Sequence, residues 1–196
     1  MMLVVFGGSF NPPTIAHYNI AKHILKNLDC RHFFFLPVGD QYPKKELIEA
    51  KFRVDMLKLL CARLERTSVS TLEVEADHVL TSFETLSLFR QQYPNDDIGF
   101  VIGADNLKDL PNWVQADELI RYFKIIVFRR DDIDVDDLIQ TLFKEQIERF
   151  IVLDSFGEMD VSSTQYRQDV KNDKLVLQEV DAYVHAHHLY GRGESK

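Results

Sequence analysis

The stretch LVVFGGSFNPPTIAH, residues 3–17, predicts a strand, a tight loop and the start of a helix. The apolar run Leu3–Phe6 has the length and β-branching typical of a buried parallel strand. Gly7 and Gly8 then remove side chains where the strand ends, so main-chain N–H groups can approach an anion closely. The Asn-Pro-Pro sequence turns the chain, and apolar residues recur at helical spacing from about Thr14 onward.

Thr14 and His17 are three residues apart at the start of this predicted helix, one turn from each other. A helix N-terminus offers unpaired N–H donors and the positive end of a dipole, which favours phosphate. A hydroxyl and an imidazole placed there can hydrogen-bond phosphate oxygens. The same pattern also fits an ordinary α/β domain in which His17 caps the helix or lies in the core.

Composition limits the class of protein. The chain has 196 residues and a net charge of −8, which predicts one domain, residues 1–196, and argues against nucleic acid as a partner. Cys30 and Cys61 are predicted to be free core thiols of a cytoplasmic protein. The chain begins directly with the strand, so we expect no signal peptide, and no apolar run approaches the length of a membrane span.

Apolar runs alternate with helical patterns along the chain, which predicts an α/β fold: a Rossmann-like, doubly wound parallel sheet of five to six strands. A small helical part is expected at about residues 155–190. Loops after strands are the expected ligand sites. The predicted strands are 3–6, 32–36, 69–74 (at an edge), 98–102, 124–128 and 150–153. The predicted helices are 14–28, 51–64, 82–93, 117–122, 138–147, 163–170 and 179–190, with residues 103–106 as a turn and 131–137 as an acidic loop.

A second polar motif, DVSSTQYR, occupies residues 160–167. Ser162 or Ser163 can cap a helix, and Thr164 and Arg167 are spaced to face the same side. Hydroxyls, N–H donors and a guanidinium that converge in this way can hold a polyphosphate. Taken alone, the segment fits an ordinary capped helix with a surface arginine better than it fits a phosphate site.

The two motifs together resemble the signatures of the (H/T)xGH nucleotidyltransferases, and within them the nicotinate/nicotinamide mononucleotide adenylyltransferases. Gly7–His17 is similar to the first signature, with Asn11, Thr14 and Ala16 as variants, and Val161–Arg167 is similar to ISSTxxR. The segments Gly103–Asn106 and Thr81–Leu86 resemble two further family segments. The resemblance spans about residues 1–190.

The resemblance implies transfer of AMP from ATP to a pyridine mononucleotide, and it assigns residues to each step. His17, Thr14 and Arg167 are the implied catalytic residues. Trp113 is expected to stack on the pyridine, although a lone tryptophan also fits a lid over the core. The implied ATP-binding residues are Gly7, Gly8, Ser9, Phe10, Thr14, His17, Gly103, Asp105, Ser162, Ser163, Thr164 and Arg167. The implied substrate-binding residues are Asn11, Lys44 (with Lys45 nearby), Thr85, Trp113 and Arg130 (or its neighbour Arg129).

The attacking phosphate is already an anion, so the reaction requires positioning and charge neutralisation rather than a general base. Mg²⁺ is expected as a cofactor held mainly by ATP phosphates, with no protein metal site. The partners are ATP and a pyridine mononucleotide, and a homo-oligomer is compatible with the sequence. A phosphopantetheine-type adenylyltransferase is one alternative. The other is a non-catalytic nucleotide sensor, which the variants Thr14 and Ala16 would favour.

Overall fold

The computed structural model describes residues 1–129, 133–156, 161–169 and 173–191. Within these residues the strands are β1 (Met2–Gly8), β2 (Cys30–Pro37), β3 (Thr67–Val69), β4 (Asp97–Ile102), β5 (Lys124–Phe128) and β6 (Phe150–Leu153). All six belong to one parallel sheet in the order β3-β2-β1-β4-β5-β6. The prediction of a doubly wound α/β sheet of five to six strands is therefore confirmed.

Helices connect the strands. They are α1 (Ile15–Asn27), α2 (Ala50–Cys61), α3 (Leu72–Glu75), α4 (Ser82–Gln92), α5 (Ala104–Leu107), α6 (Ala116–Tyr122), α7 (Val135–Leu142), α8 (Ser163–Gln168) and α9 (Gln178–Ala186). Short 3-10 turns cover Leu110–Asn112, Ile147–Arg149, Asp173–Leu175 and Leu189–Gly191. Among the described residues, no helix is both long and apolar enough to cross a membrane.

The sheet is buried on both faces, as the continuous apolar strands predict. Successive residues of β1 alternate between two hydrophobic clusters, with Val4 in one and Val5 in the other. Phe35 and Leu36 of β2 divide in the same way. A third cluster joins Met56 of α2 to the helices near the C-terminus, through residues that include Tyr166, Val176, Val180, Val184 and Leu189.

The predicted edge strand over residues 69–74 is wrong beyond its first residue. Strand β3 occupies the sheet edge but ends at Val69, and the chain then turns into α3. Thr71 drives this turn, because its carbonyl accepts the Glu75 N–H at 2.8 Å and its hydroxyl donates to the Glu75 carboxylate at 2.7 Å. The mixture of polar and apolar residues that predicted the strand therefore continues in sequence past the point where local hydrogen bonds end it.

Two other predicted loops contain helix. Residues 103–106 hold the short helix α5 rather than a simple turn. In the acidic segment, Asp134 caps α7 by accepting the Asp137 N–H at 3.0 Å, and Asp136 and Asp137 lie in its first turn. Carboxylates are favoured at a helix N-terminus, so these residues begin the helix instead of preceding it. Residues 131 and 132 lie outside the described part of the chain.

Candidate active site

A cavity of about 480 Å³ opens where the winding of the sheet reverses, between β1 and β4. Loops after β1, β2 and β4 surround it, as expected for a ligand site at the carboxyl ends of parallel strands. A smaller cavity of about 140 Å³ shares Phe6, Val101, Ile102 and Gly103 with it and reaches Phe128. The larger cavity is lined by Phe6, Gly7, Gly8, Ser9, Val38, Tyr42, Lys44, Glu73, Leu80, Ser82, Phe100, Val101, Ile102, Gly103, Asn106 and Trp113.

Gly7 and Gly8 line this cavity and leave room for two aromatic rings. A Cβ atom on Gly7 would come within 3.3 Å of the Phe100 ring, and one on Gly8 within 3.2 Å of the Phe10 ring. Both distances are tighter than ordinary contacts, so a side chain at either position would displace a ring. The glycines keep the backbone bare at the cavity while Phe10 stays buried beneath the loop.

His17 is held in one tautomer by the start of α1. The Thr14 N–H donates to His17 Nδ1 at 2.8 Å, so in the neutral ring the proton lies on Nε2. The rings of Phe6 and Phe10 pack against the imidazole, with centroids at 5.7 and 5.0 Å. Burial lowers the pKa of His17 from 6.5 to about 4. At neutral pH, His17 is therefore an uncharged ring with one N–H to donate.

Thr14 is bonded to His17 within the start of α1. The residue has no exposed surface, and its hydroxyl lies 2.8 Å from His17 Nδ1. The predicted contact of this hydroxyl with phosphate stays a prediction. Thr14 is a positioning residue for His17. Ala16 is also buried, so its methyl group belongs to the core, and this removes one of the two observations that favoured a sensor.

The second motif packs directly on the loop of the first. The Ser163 hydroxyl donates to the Pro12 carbonyl and Arg167 Nη1 donates to the Asn11 carbonyl, each at 2.8 Å. Ser162 caps α8 by accepting the Gln165 N–H at 3.1 Å. These bonds span about three quarters of the chain and bring both predicted motifs to the residues that lead into α1.

Arg167 remains only partly buried, with 17% of its side chain exposed. Its Nη2 atom lies 3.4 Å from the Thr164 hydroxyl and 4.0 Å from a Glu46 carboxylate oxygen. Thr164 itself is exposed. The guanidinium therefore donates one hydrogen bond to the loop, and its Nη2 atom lies near the Thr164 hydroxyl, as the spacing in the sequence predicts.

Asn11 is buried beside the loop and is not among the residues that line the larger cavity, so its predicted contact with substrate stays a prediction. The residue is 1% exposed. Its amide donates to the Glu46 carbonyl at 2.8 Å, and its side-chain oxygen accepts the Tyr190 hydroxyl at 2.8 Å and the Ile48 N–H at 3.4 Å. Asn11 thus braces the loop against the chain near its C-terminus.

Lys44 lies where the sequence predicts a cation. It lines the larger cavity, and its amine donates to the Ser9 hydroxyl at 2.8 Å. Burial lowers the pKa of Lys44, and the charges of Arg167 and Arg53 lower it further. Lys44, Arg53 and Arg167 all donate to residues 9–11 of the loop after β1. Three cations at one loop favour the binding of a polyanion.

Arg53 is a site residue that sequence reasoning missed. It is fully buried and donates to the carbonyls of Val38 at 2.7 Å, Ile48 at 2.9 Å and Ser9 at 3.2 Å. Its fourth partner is the Asp40 carboxylate at 3.1 Å. Arg53 therefore ties the loop after β1 to the loop after β2. Its position on the apolar stripe of α2, three and four residues from other buried positions, is the signal that could have found it.

Trp113 both packs on the core and lines the cavity. Its ring meets Phe100 edge-on, with centroids 6.5 Å apart, and both rings face the larger cavity. Thr85, the other predicted pyridine contact, is buried, and its hydroxyl donates to Glu73 at 2.9 Å. The Thr85 hydroxyl thus bonds to Glu73, a cavity residue that the sequence did not single out, and the predicted contact of Thr85 with substrate stays a prediction.

The remaining predicted residues are dispersed. Gly103 lines both cavities, whereas Asp105 is exposed on α5, so its proposed bond to ribose stays a prediction. Arg129 is held by the carboxylates of Asp136 and Asp154 at 2.8 and 2.7 Å. Arg130 lies outside the described residues.

Comparison with known proteins agrees with this geometry. Residues 5–169 match the model of the cytidylyltransferase-like family. The probable nicotinate-nucleotide adenylyltransferase of Endomicrobium trichonymphae is 34% identical over 173 residues, which cover 87% of this chain and 86% of that protein. The nicotinate-nucleotide adenylyltransferase of Bacillus subtilis (strain 168) is 31% identical over 192 residues, covering 95% and 96%.

A solved structure shows the same fold at lower identity. The Plasmodium falciparum nicotinic acid mononucleotide adenylyltransferase complexed with NaAD matches with a TM-score of 0.81 and 18% identity, covering 96% of this chain and 97% of that one. The fold, the order of the motifs and the matches over most of the chain agree with one another. The chain therefore belongs to the nicotinate-nucleotide adenylyltransferase family of cytidylyltransferase-like proteins.

Proposed function

We propose that this chain transfers AMP from ATP to the 5′-phosphate of nicotinate mononucleotide, releasing pyrophosphate and forming the dinucleotide used in NAD biosynthesis. One observation carries the proposal: Ser163 and Arg167 bond to Pro12 and Asn11, so both polar motifs meet at the loop that leads into α1, whose first turn carries His17. The relatives named above as nicotinate-nucleotide adenylyltransferases support nicotinate as the pyridine.

The proposed reaction is a displacement at phosphorus. An oxygen of the mononucleotide phosphate forms a bond to the α-phosphorus of ATP as the bond to the bridging oxygen of pyrophosphate breaks. The nucleophile carries its own negative charge, so no residue needs to remove a proton. The protein supplies orientation and charge stabilisation, and orientation alone is worth about 7–11 kcal/mol in favourable cases.

His17 is the proposed donor to the reacting phosphate. Its ring is neutral, its Nδ1 is fixed by Thr14, and its Nε2–H can strengthen a hydrogen bond as charge grows on the α-phosphate oxygens. A neutral donor fixed in advance needs little reorganisation during the reaction. Arg167, which bonds to the loop at Asn11, and its neighbour Thr164 are proposed to hold the leaving phosphates.

The two cavities suggest how the substrates divide the space. We assign the mononucleotide to the larger cavity, with its phosphate near Lys44 and its pyridine against Trp113. We assign the adenosine of ATP to the smaller one, near Gly103 and Phe128. The shared wall at Phe6 and Val101 then lies between the two substrates, and the His17 ring of α1 packs on Phe6.

Mg²⁺ is proposed to enter with ATP. Four donor side chains lie around the loop, namely His17, Lys44, Arg53 and Arg167, and the nearby carboxylates of Asp40 and Glu46 are partners of Arg53 and Arg167. Within the described residues, no three His, Cys, Asp or Glu side chains cluster as metal ligands do. We therefore assign the ion to phosphate oxygens and water, where it would neutralise charge on the triphosphate.

Pyrophosphate release tests the proposal. The purified chain is mixed with ATP and Mg²⁺, and then with nicotinate mononucleotide, nicotinamide mononucleotide, phosphopantetheine or no acceptor. We expect release that depends on a pyridine mononucleotide and is fastest with nicotinate. Release with phosphopantetheine alone would replace the proposed substrate, and release with no acceptor other than water would contradict transfer.

A further inference from the structure

Glu73 differs in charge from the other described residues that line the larger cavity. It is the acid among them, and Lys44 is the cationic amine. The Lys44 amine is bound to Ser9, at the loop after β1, so the cation lies near the proposed phosphate position. Glu73 bonds instead to Thr85 on α4.

Glu73 and Trp113 line the same cavity. The Glu73 carboxyl group accepts the Thr85 hydroxyl, and the Glu73 main-chain carbonyl accepts the Gln41 amide at 3.1 Å. A pyridine ring stacked on Trp113 would therefore occupy the cavity that Glu73 also lines.

We propose that the Glu73 carboxyl group faces the ring substituent of the mononucleotide and sets the preference between the nicotinate and nicotinamide forms. The inference rests on the proposed function. The two mononucleotides differ only in this substituent, a carboxylate or an amide. A protonated carboxyl group donates a hydrogen bond to the substrate carboxylate, whereas an ionised one repels it and accepts the N–H of an amide.

The surroundings of Glu73 bring the ionisation of its carboxyl group near neutral pH. Burial raises the pKa of Glu73 from 4.5 to about 7, and the hydrogen bond from Thr85 opposes the rise. Because Thr85 donates to Oε1, the proton has Oε2 available to it. The ionised fraction of Glu73, and with it the preference for the amide, grows as the pH rises through about 7.

Other titratable groups lie on the elements around Glu73, and most are paired or exposed. Glu84 is bound by the Thr81 N–H and hydroxyl, and Asp77 is paired with His78. The titratable groups on these elements are Tyr42 and Lys44 from the loop after β2, Glu75 from α3, Asp77 and His78 from the loop after α3, Glu84 from α4 and Asp105 from α5. Among these, Tyr42 and Lys44 share the cavity lining with Glu73.

The test is the ratio of kcat/KM for nicotinate mononucleotide to that for nicotinamide mononucleotide, measured from about pH 6 to about pH 9 at saturating ATP. Both substrates carry the same phosphate, so its titration and that of the ATP site cancel in the ratio. We expect the wild-type ratio to fall about tenfold or more across this range, as a hydrogen bond to a charged group is lost. Glu73→Gln should make the ratio independent of pH.

Variants of Thr85 provide a second, independent arm. Thr85→Val removes the bond that lowers the pKa of Glu73, so the midpoint of the fall should move to higher pH, and Thr85→Ser should return it toward wild type. Glu75→Gln, on the same helix but exposed, is the matched control and should leave the profile unchanged.

Three outcomes would overturn the inference. A wild-type ratio that does not vary with pH removes the role of Glu73. A Glu73→Gln variant that loses both substrates equally assigns Glu73 to packing or to the ribose. A wild-type chain that forms no dinucleotide with either substrate refutes the proposed function itself, and this inference falls with it.

Discussion

Replacing His17 with alanine should lower kcat without a matching loss of mononucleotide affinity. The imidazole contributes one oriented N–H donor, because Nδ1 is occupied by Thr14 and the ring is neutral. Loss of one such donor to a developing oxyanion costs about 2.7–4 kcal/mol, or about 10²–10³ in kcat. Steady-state kinetics at saturating ATP, with KM for the mononucleotide measured alongside, gives both quantities.

A glutamine at position 17 provides the matched control. His17 is the third residue of α1, where glutamine commonly accepts the N–H of the capping residue, so His17→Gln should keep the bond from Thr14. His17→Ala leaves that N–H without its partner, which costs about 1–3 kcal/mol of stability. We therefore expect near wild-type stability for the glutamine variant, with kcat still well below wild type.

The pH dependence of unfolding checks the state of the ring. The pKa of His17 is about 4 in the folded chain and 6.5 unfolded, so the unfolded chain binds more protons between these values. The contribution of the neutral ring, at most about 3 kcal/mol, is complete above pH 6.5 and declines as the pH falls toward 4. In urea unfolding, the free energy of unfolding of His17→Gln should lack the part of its decline at low pH that protonation of His17 causes.

A kcat within about threefold of wild type in His17→Ala would refute the assigned role of His17 as donor to the reacting phosphate.

Three other variants test the walls and supports of the site. Trp113→Ala should raise KM for the mononucleotide about tenfold or more with a smaller change in kcat, while Trp113→Phe keeps a ring and most of the affinity. If Trp113→Ala has the same KM as the wild type, Trp113 only packs on the core. Lys44→Ala should raise the same KM about tenfold because it removes a charge near the substrate phosphate, and Lys45→Ala is the control. Similar increases in KM from both variants would show that surface charge in general, rather than Lys44 itself, attracts the phosphate. Arg53→Met should lower the free energy of unfolding by about 3 kcal/mol or more in urea titration, because three partly buried carbonyls and the Asp40 carboxylate lose their donor. A change below about 1 kcal/mol would show that water replaces the guanidinium.

The sheet was predictable because its signals are local. Runs such as residues 33–36 are apolar at every position, which fits a strand buried on both faces. Thr81 and Glu84 form the capping box that their spacing predicts at the start of α4. Errors arose where a few hydrogen bonds overrode the pattern. Thr71 ended an apparent strand, and Asp134 turned an acidic loop into the first turn of α7.

The positions of the two phosphate motifs in the chain were predictable, but the partners of their side chains were not. Asn11 and Thr85 are polar residues in segments that resemble family signatures, yet both are buried and support other groups. Arg53 and Glu73 gain their roles from residues distant in sequence, such as Ser9 and Thr85. Such bonds depend on how the loops pack, which spacing along one segment does not encode.

The most direct test of the central claim follows the α-phosphorus of ATP. We infer that AMP is transferred between two nucleotides bound at the loop after β1, to which Arg167 and Ser163 are hydrogen-bonded. With ATP radiolabelled at the α-phosphorus and nicotinate mononucleotide as acceptor, the label should appear in the dinucleotide while the released pyrophosphate stays unlabelled. Label that remains in ATP, or that appears as free AMP with no dinucleotide, would contradict the account.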